Sequence, residues 1–135
     1  MALVFVYGTL KRGFPLFEKG LAGAKYLGDV RTVAPYPLFI AKEFYGPVML
    51  DKAGDGLIVH GELFDVAAED LSVLDELESV GAAGSFRSSV EVEPRSGGLR
   101  VRAIGFMKDE SWLEPLHSDF ISDYQDRRFI PPWMR

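Results

Sequence analysis

Two short stretches of this chain hold residues that could do chemistry. The segment "LDELES" (74–79) carries acidic side chains at helical spacing, and a glutamate in apolar surroundings can accept and donate protons. The loop "YGTLKRG" (7–13) follows an apolar run, and its glycines allow close approach of a ligand or of another part of the chain. The first stretch indicates proton transfer, and the second indicates either a binding wall or a turn.

Helical periodicity separates the two glutamates of "LDELES". On a wheel of about 100° per residue with Leu71 as origin, the leucine stripe of residues 71–77 centres at about 300°. Glu78 falls at about 340°, inside this apolar arc, whereas Glu76 at about 140° points toward solvent. Glu78 is therefore the candidate acid or base. The alternative is that Glu78, in the last turn of the helix, is solvent-exposed like most glutamates.

The loop at 7–13 matches neither common phosphate-binding pattern. A P-loop requires G-x-x-x-x-G-K-[ST], whereas the second glycine here is followed by Phe14, and no G-x-G-x-x-G is present. Spacing alone leaves both a structural turn and a ligand-binding wall open for Gly8. Lys11 and Arg12 are expected to follow the turn into solvent.

The sequence predicts no metal site. His60 and His117 have no partner at metal-ligand spacing, so structural or surface roles are expected for both. The chain contains no cysteine, which excludes disulfides, thiolate nucleophiles and cysteine zinc sites.

Composition indicates one globular domain spanning residues 1–135. The chain is 47% hydrophobic and 26% charged, as is usual for soluble proteins. Its 15 Lys and Arg against 20 Asp and Glu give a net charge of −5, which argues against a nucleic-acid partner. No signal-peptide pattern or membrane-length apolar run is present, so a cytoplasmic protein without membrane contact is expected.

The order of patterns predicts an α+β fold in which one helix is flanked by antiparallel hairpins of a curved or closed sheet. The helix covers residues 67–80 and is expected to end at Gly81. The other predicted elements are strands at 3–7, 24–33 and 36–41, a hairpin at 47–66 around Asp55-Gly56, a hairpin of strands 88–94 and 99–107, and short helices at 17–22 and after Ser111. The aromatic residues of the tail "RFIPPWMR" (128–135) are expected to pack across the barrel mouth.

The motifs "VFVYGTLKRG", "PYPLFIA" and "GELFDV…LDELES" together resemble the γ-glutamylcyclotransferase family, also called AIG2-like or BtrG-like. Within that family the N-terminal motif is most similar to the γ-glutamylamine cyclotransferases. The resemblance covers most of residues 1–79. The combination of Y-G-[ST]-L with G-E-[LV]-[FY]…L-D-x-x-E is fairly specific, whereas either half alone is weak.

The resemblance implies a fold, an activity and a set of site residues. The fold is a small, mostly antiparallel β-barrel with flanking helices. The substrate is a γ-glutamyl amine or amino acid, which is converted to 5-oxoproline and a free amine without metal or cofactor. The implied substrate-binding residues are Tyr7, Gly8, Thr9 and Leu10, and the implied catalytic acid/base is Glu78.

The sequence departs from the family pattern after the helix. The family usually has Y-x-R before the next strand, whereas "GAAGSFRSSV" (81–90) offers Phe86-Arg87 after a glycine-rich loop. This loop and the C-terminal third are expected to shape the part of the pocket that binds the leaving amine. The rival function is a non-catalytic module that binds a small acidic metabolite on the same barrel, and an exposed apolar patch at Trp133 would instead indicate a docking protein.

Overall fold

Residues 2–135, described by a computed structural model, form a barrel, a small second sheet and short helices. The elements are β1 (Ala2–Val6), α1 (Phe17–Gly20), β2 (Lys25–Thr32), β3 (Leu38–Ala41), β4 (Gly46–Met49), β5 (His60–Val66), α2 (Ala68–Leu77), β6 (Ser85–Pro94), β7 (Val101–Lys108), and 3₁₀ turns at Glu110–Trp112 and Pro132–Met134.

The barrel closes in the strand order β1-β5-β2-β6-β7. Its neighbours are antiparallel, except that β1 and β7 pair in parallel at Val4 and Ile104. This closed, mostly antiparallel barrel with flanking helices confirms the predicted fold class, and the hairpin of β6 and β7 is confirmed with it. Within residues 2–135, no helix is both long enough and apolar enough to cross a bilayer.

The predicted hairpin over residues 47–66 is wrong. β4 pairs with β3, with Leu38 opposite Met49, whereas β5 pairs with β1 and β2 in the barrel. The tight connection lies instead between β3 and β4, where Lys42 and Tyr45 adopt left-handed φ values of 71° and 55°. The Asp55-Gly56 turn belongs to an exposed connection between the two sheets.

Both faces of β1 are covered, which explains its unbroken apolar sequence. Phe5 belongs to a cluster inside the barrel, while Val4 and Val6 belong to a second cluster that also contains Leu74 of α2. The alternation along the strand thus joins the barrel interior to the helix layer. The strand ends at the loop 7–13, which therefore starts from a rigid, buried support.

The C-terminal tail packs back onto the barrel, as expected for most of its aromatic residues. Tyr124 is fully buried in the barrel cluster, and Phe129 meets Phe44 edge-on with ring centroids 6.0 Å apart. Trp133 is 52% exposed, with the Lys19 ammonium 4.8 Å from its ring centroid. The tail thereby forms one side of the cavity described next.

Candidate active site

A cavity of about 220 Å³ lies where the end of α2, the start of β4, the end of β7 and the tail meet. One acidic side chain and three basic side chains line it, together with aromatic and small residues. The charged residues are Lys42, Glu78, Lys108 and Arg135, and the others include Thr9, Phe44, Pro47, Ser79, Trp112 and Phe129.

Glu78 enters the cavity because α2 ends at this residue. The helix closes with a Schellman motif, in which the Ser79 amide donates to the Glu76 carbonyl (3.1 Å) and the Val80 amide donates to the Asp75 carbonyl (2.8 Å). Ser79 takes the left-handed position with φ 59°, so the expected cap at Gly81 is wrong by two residues.

The orientation predicted for the two glutamates matches the structure. Glu76 is exposed, whereas the Glu78 side chain is only 18% exposed. Burial raises the pKa of the Glu78 carboxyl above its usual value, and the positive charge of Lys108 opposes this shift. A carboxyl with a raised pKa can exchange protons nearer neutral pH than an ordinary surface glutamate.

Lys108, at the end of β7, is the partner of Glu78. Its ammonium lies 3.7 Å from the Glu78 carboxylate and donates to the Ser85 hydroxyl (2.8 Å) and to the Glu78 carbonyl. The Ser85 hydroxyl also donates to that carbonyl (2.8 Å). Burial lowers the pKa of Lys108, and the Glu78 charge opposes the change. The side chain of Lys108 is 6% exposed, so this ammonium has little contact with bulk water.

The loop at 7–13 contributes to the cavity through Gly8 and Thr9. A Cβ added at Gly8 would lie 2.3 Å from the Pro47 ring, so the absence of a side chain lets β4 approach the loop. Pro47 and Thr9 both line the cavity. The open question about Gly8 therefore has a structural answer, because its close neighbour is another chain segment that forms the cavity wall.

The two other residues predicted to bind substrate lie in the core. Tyr7 is buried, and its hydroxyl donates to the Phe106 carbonyl. Burial raises the pKa of the Tyr7 phenol, and the charge of Glu78 adds to the shift. Leu10 is buried in the cluster that also contains Leu74. These side chains support the loop from beneath, and the substrate-binding role of residues 7–10 stays a prediction.

Backbone amides of the loop remain available for a ligand. The amides of Gly8, Thr9 and Leu10 donate to no acceptor within residues 2–135, although all three residues are buried. Buried N–H groups in proteins are nearly always paired. The loop therefore presents donors whose partner would be a molecule in the cavity.

The expectation that Lys11 points into solvent is wrong. Lys11 is 4% exposed, and its ammonium donates to the Asp123 carboxylate (3.0 Å) and to the Tyr124 carbonyl (2.7 Å). Arg12 is half exposed and pairs with Glu62. Burial of Lys11 is tolerated because both acceptors face its charge, and the contact ties the loop to the tail.

Several cavity residues were not identified from sequence. Lys42, Lys108, Trp112 and Arg135 belong to no recognisable motif, and only the lysine that closes the apolar run "AIGFMK" (103–108) hinted at a role. The glycine-rich loop acts through Trp112, because the Ala83 carbonyl accepts the indole N–H (2.9 Å).

The expected structural roles of the histidines agree with their positions. His60 lies in β5, where burial lowers its pKa, and His117 stacks on Tyr45 with ring centroids 4.3 Å apart. Neither lines the cavity. In residues 2–135, no three His, Cys, Asp or Glu side chains come together as metal ligands would.

Comparison with known proteins assigns this cavity to a family. The family model described as gamma-glutamyl cyclotransferase, AIG2-like, matches residues 4–124, which include β1, the loop, α2 and Lys108. The chain belongs to this family. The AIG2-like assignment confirms the resemblance inferred from the two sequence motifs.

Individual AIG2-like proteins agree. The human gamma-glutamylaminecyclotransferase is 46% identical over 86 residues, covering 61% of this chain and 56% of the relative. The zebrafish (Danio rerio) gamma-glutamylaminecyclotransferase B is 43% identical over 82 residues, covering 58% and 43%. The matches thus span about half the length of these curated relatives. The crystal structure of an AIG2-like protein from Mus musculus superposes with a TM-score of 0.76 at 31% identity, covering 94% of this chain and 97% of that one.

Proposed function

We propose that this AIG2-like protein is an enzyme that converts a γ-glutamyl amide into 5-oxoproline and a free amine. The α-amine of the γ-glutamyl group attacks the γ-carbonyl carbon, the C–N amide bond breaks, and no water is consumed. The observation that carries the proposal is the Glu78 carboxylate, which faces a cavity also lined by Thr9 of the loop. The names of the relatives support the same reaction class.

Glu78 is the proton shuttle in this proposal. It removes a proton from the α-ammonium, which frees the nucleophile, and then delivers that proton to the departing nitrogen. Its raised pKa supports both halves of the transfer, because the carboxyl is neither a strong acid nor permanently protonated. Such a shuttle typically contributes a factor of about 10²–10⁴ to the rate.

The loop has two tasks in the proposed reaction. The free amides of Gly8, Thr9 and Leu10 are suited to hold the γ-glutamyl portion and the carbonyl oxygen as it gains negative charge. Holding the chain bent brings the amine within reach of the carbonyl, and such positioning can lower a barrier by several kcal/mol, about 7 in well-oriented cases. Tyr7 supports the loop through its bond to Phe106.

Lys108 has a supporting electrostatic role in the proposal. Its ammonium keeps part of the Glu78 population ionised despite burial, because opposite charges within about 4–6 Å favour the charged form. The lysine is itself held by Ser85, so its position relative to the carboxylate is fixed.

A second function is favoured by one observation. Three cations and one carboxylate line the cavity, and such a surface also suits a module that only binds an acidic metabolite. The binding function and the enzymatic function differ in turnover. A binding module would retain ligand affinity and release no product.

The test is release of 5-oxoproline from three compounds: γ-glutamyl-ε-lysine, a γ-glutamyl-α-amino acid and a simple γ-glutamylamine. We expect release from at least one compound by the wild type. The compound turned over fastest identifies the leaving amine. A folded protein that binds the compounds and releases no 5-oxoproline would contradict the enzymatic proposal and favour the binding module.

A further inference from the structure

The cavity contains more positive charge than the proposed chemistry requires. Lys108 is engaged with Glu78 and Ser85. Lys42 and Arg135 also line the cavity, and neither forms a salt bridge with a carboxylate of residues 2–135. In a chain of net charge −5, two cations without acidic partners in one cavity indicate a surface suited to an anion.

Both cations are held against aromatic walls of the cavity. The Lys42 ammonium lies 5.6 Å from the Trp112 ring centroid, and the Arg135 guanidinium lies 3.5 Å from that of Phe44. Arg135 also donates through Nε to the Ile130 carbonyl (2.9 Å), which leaves its terminal nitrogens for another acceptor. Burial lowers the pKa of Arg135, as expected for a partly desolvated cation without a counter-ion.

The backbone of Lys42 is fixed in an uncommon conformation. Its φ is 71°, although the residue is not glycine. The conformation is maintained by its amide, which donates to the Pro115 carbonyl (2.8 Å), and by its carbonyl, which accepts from the His117 ring (2.9 Å). Left-handed non-glycine residues cluster at functional sites, and this one projects its side chain into the cavity.

The two cations lie at the outer part of the cavity. Thr9 and Lys108, near Glu78, are almost completely buried, whereas Lys42 is half-buried and Arg135 is exposed. In the proposed reaction the γ-glutamyl end lies at the buried loop and its α-carboxylate takes the loop amides. The departing amine then extends toward the outer part, where the unpaired charges are.

We infer that Lys42 and Arg135 select γ-glutamyl compounds whose leaving amine carries a carboxylate or another anionic group. The inference rests on the proposed function. It makes the two cations specificity determinants, because they bind a part of the substrate where no bond changes.

The test compares two substrates that differ only in the distal group. γ-Glutamyl-6-aminohexanoate ends in a carboxylate, and γ-glutamylhexylamine has a methyl group in its place. We expect the wild type to prefer the carboxylate in kcat/KM by about tenfold or more, the scale of one charge-assisted hydrogen bond. The preference should shrink as ionic strength rises.

The variants are Lys42→Met, Arg135→Met and the double substitution, with Lys25→Met as control because Lys25 is exposed on β2. Each single change should reduce the preference, the double change should bring it close to one, and the control should leave it unaltered. Equal use of both compounds by the wild type, or a preference that survives the double change, would overturn the inference.

Absence of 5-oxoproline from both compounds would contradict the proposed function and not the selectivity. In that case calorimetry with the same compounds decides. Tighter binding of the carboxylate compound, lost in the double variant, supports the inference. Equal or undetectable affinity for the two compounds overturns it.

Discussion

The ammonium of Lys108 lies 3.7 Å from the carboxylate of Glu78, and both side chains are largely withdrawn from water. Burial raises the pKa of Glu78 and lowers that of Lys108, while each charge partly offsets the shift of the other. The pair joins the end of α2 to the end of β7. It is therefore the contact through which the barrel influences the proposed proton shuttle.

Removing the lysine charge should change the pH dependence of turnover. In Lys108→Met the Glu78 pKa is expected to rise further, because only desolvation remains. Activity that requires ionised Glu78 should then appear at higher pH, with the acidic limb of kcat/KM displaced upward by about 1 unit or more. The measurement is a pH profile of 5-oxoproline release.

Two companion variants make that profile decisive. Lys108→Arg retains the charge and should keep the acidic limb near its wild-type position, and Lys25→Met should not move it. An acidic limb that stays in place in Lys108→Met, despite a normally folded protein, would show that Lys108 does not control the ionisation of Glu78.

Glu78 should also make stability depend on pH. Its pKa is raised on folding, so between the ordinary and the raised value the folded state holds a proton that the unfolded state has released. The free energy of unfolding therefore falls as pH rises through this window. Glu78→Gln lacks this contribution, so its stability relative to the wild type should increase from pH about 4 to about 7.

Urea unfolding at several pH values measures this difference. Glu76→Gln is the matched control, because Glu76 is exposed on the same helix. A Glu78→Gln difference that is independent of pH, like that of the control, would mean that burial does not perturb the carboxyl.

The contact between Gly8 and Pro47 should be sensitive to one added methyl group. A Cβ at Gly8 would meet Pro47 at 2.3 Å, so β4 must move away from the loop. Gly8→Ala should cost about 1–3 kcal/mol of unfolding free energy and reduce kcat/KM, because the cavity wall moves. Gly23→Ala is the control, since nothing lies within 4 Å of its added Cβ. Equal stability of the two variants would contradict the close approach.

Local periodicity was sufficient to orient α2. The 3.6-residue repeat places Glu78 beside the leucine stripe and Glu76 in solvent, and both positions depend only on the helix itself. Strand patterns likewise gave β1 and the hairpin of β6 and β7, because apolar runs and turn residues are local signals.

Contacts between distant residues explain what the sequence did not reveal. Lys11 is buried because Asp123 lies beside it, 112 positions away in sequence. Lys108 meets Glu78 only after the barrel closes. The hairpin at 47–66 was predicted from a glycine turn, whereas the connection between β3 and β4 uses left-handed Lys42 and Tyr45, which carry no glycine signal.

The most direct test of the proposed function compares 5-oxoproline release by wild type, Glu78→Gln and Glu76→Gln under identical conditions. Loss of the shuttle should lower kcat of Glu78→Gln by about 10²–10⁴-fold with folding retained, while Glu76→Gln stays close to wild type. An active Glu78→Gln, or an essential Glu76, would contradict the assignment of Glu78 as the catalytic acid/base.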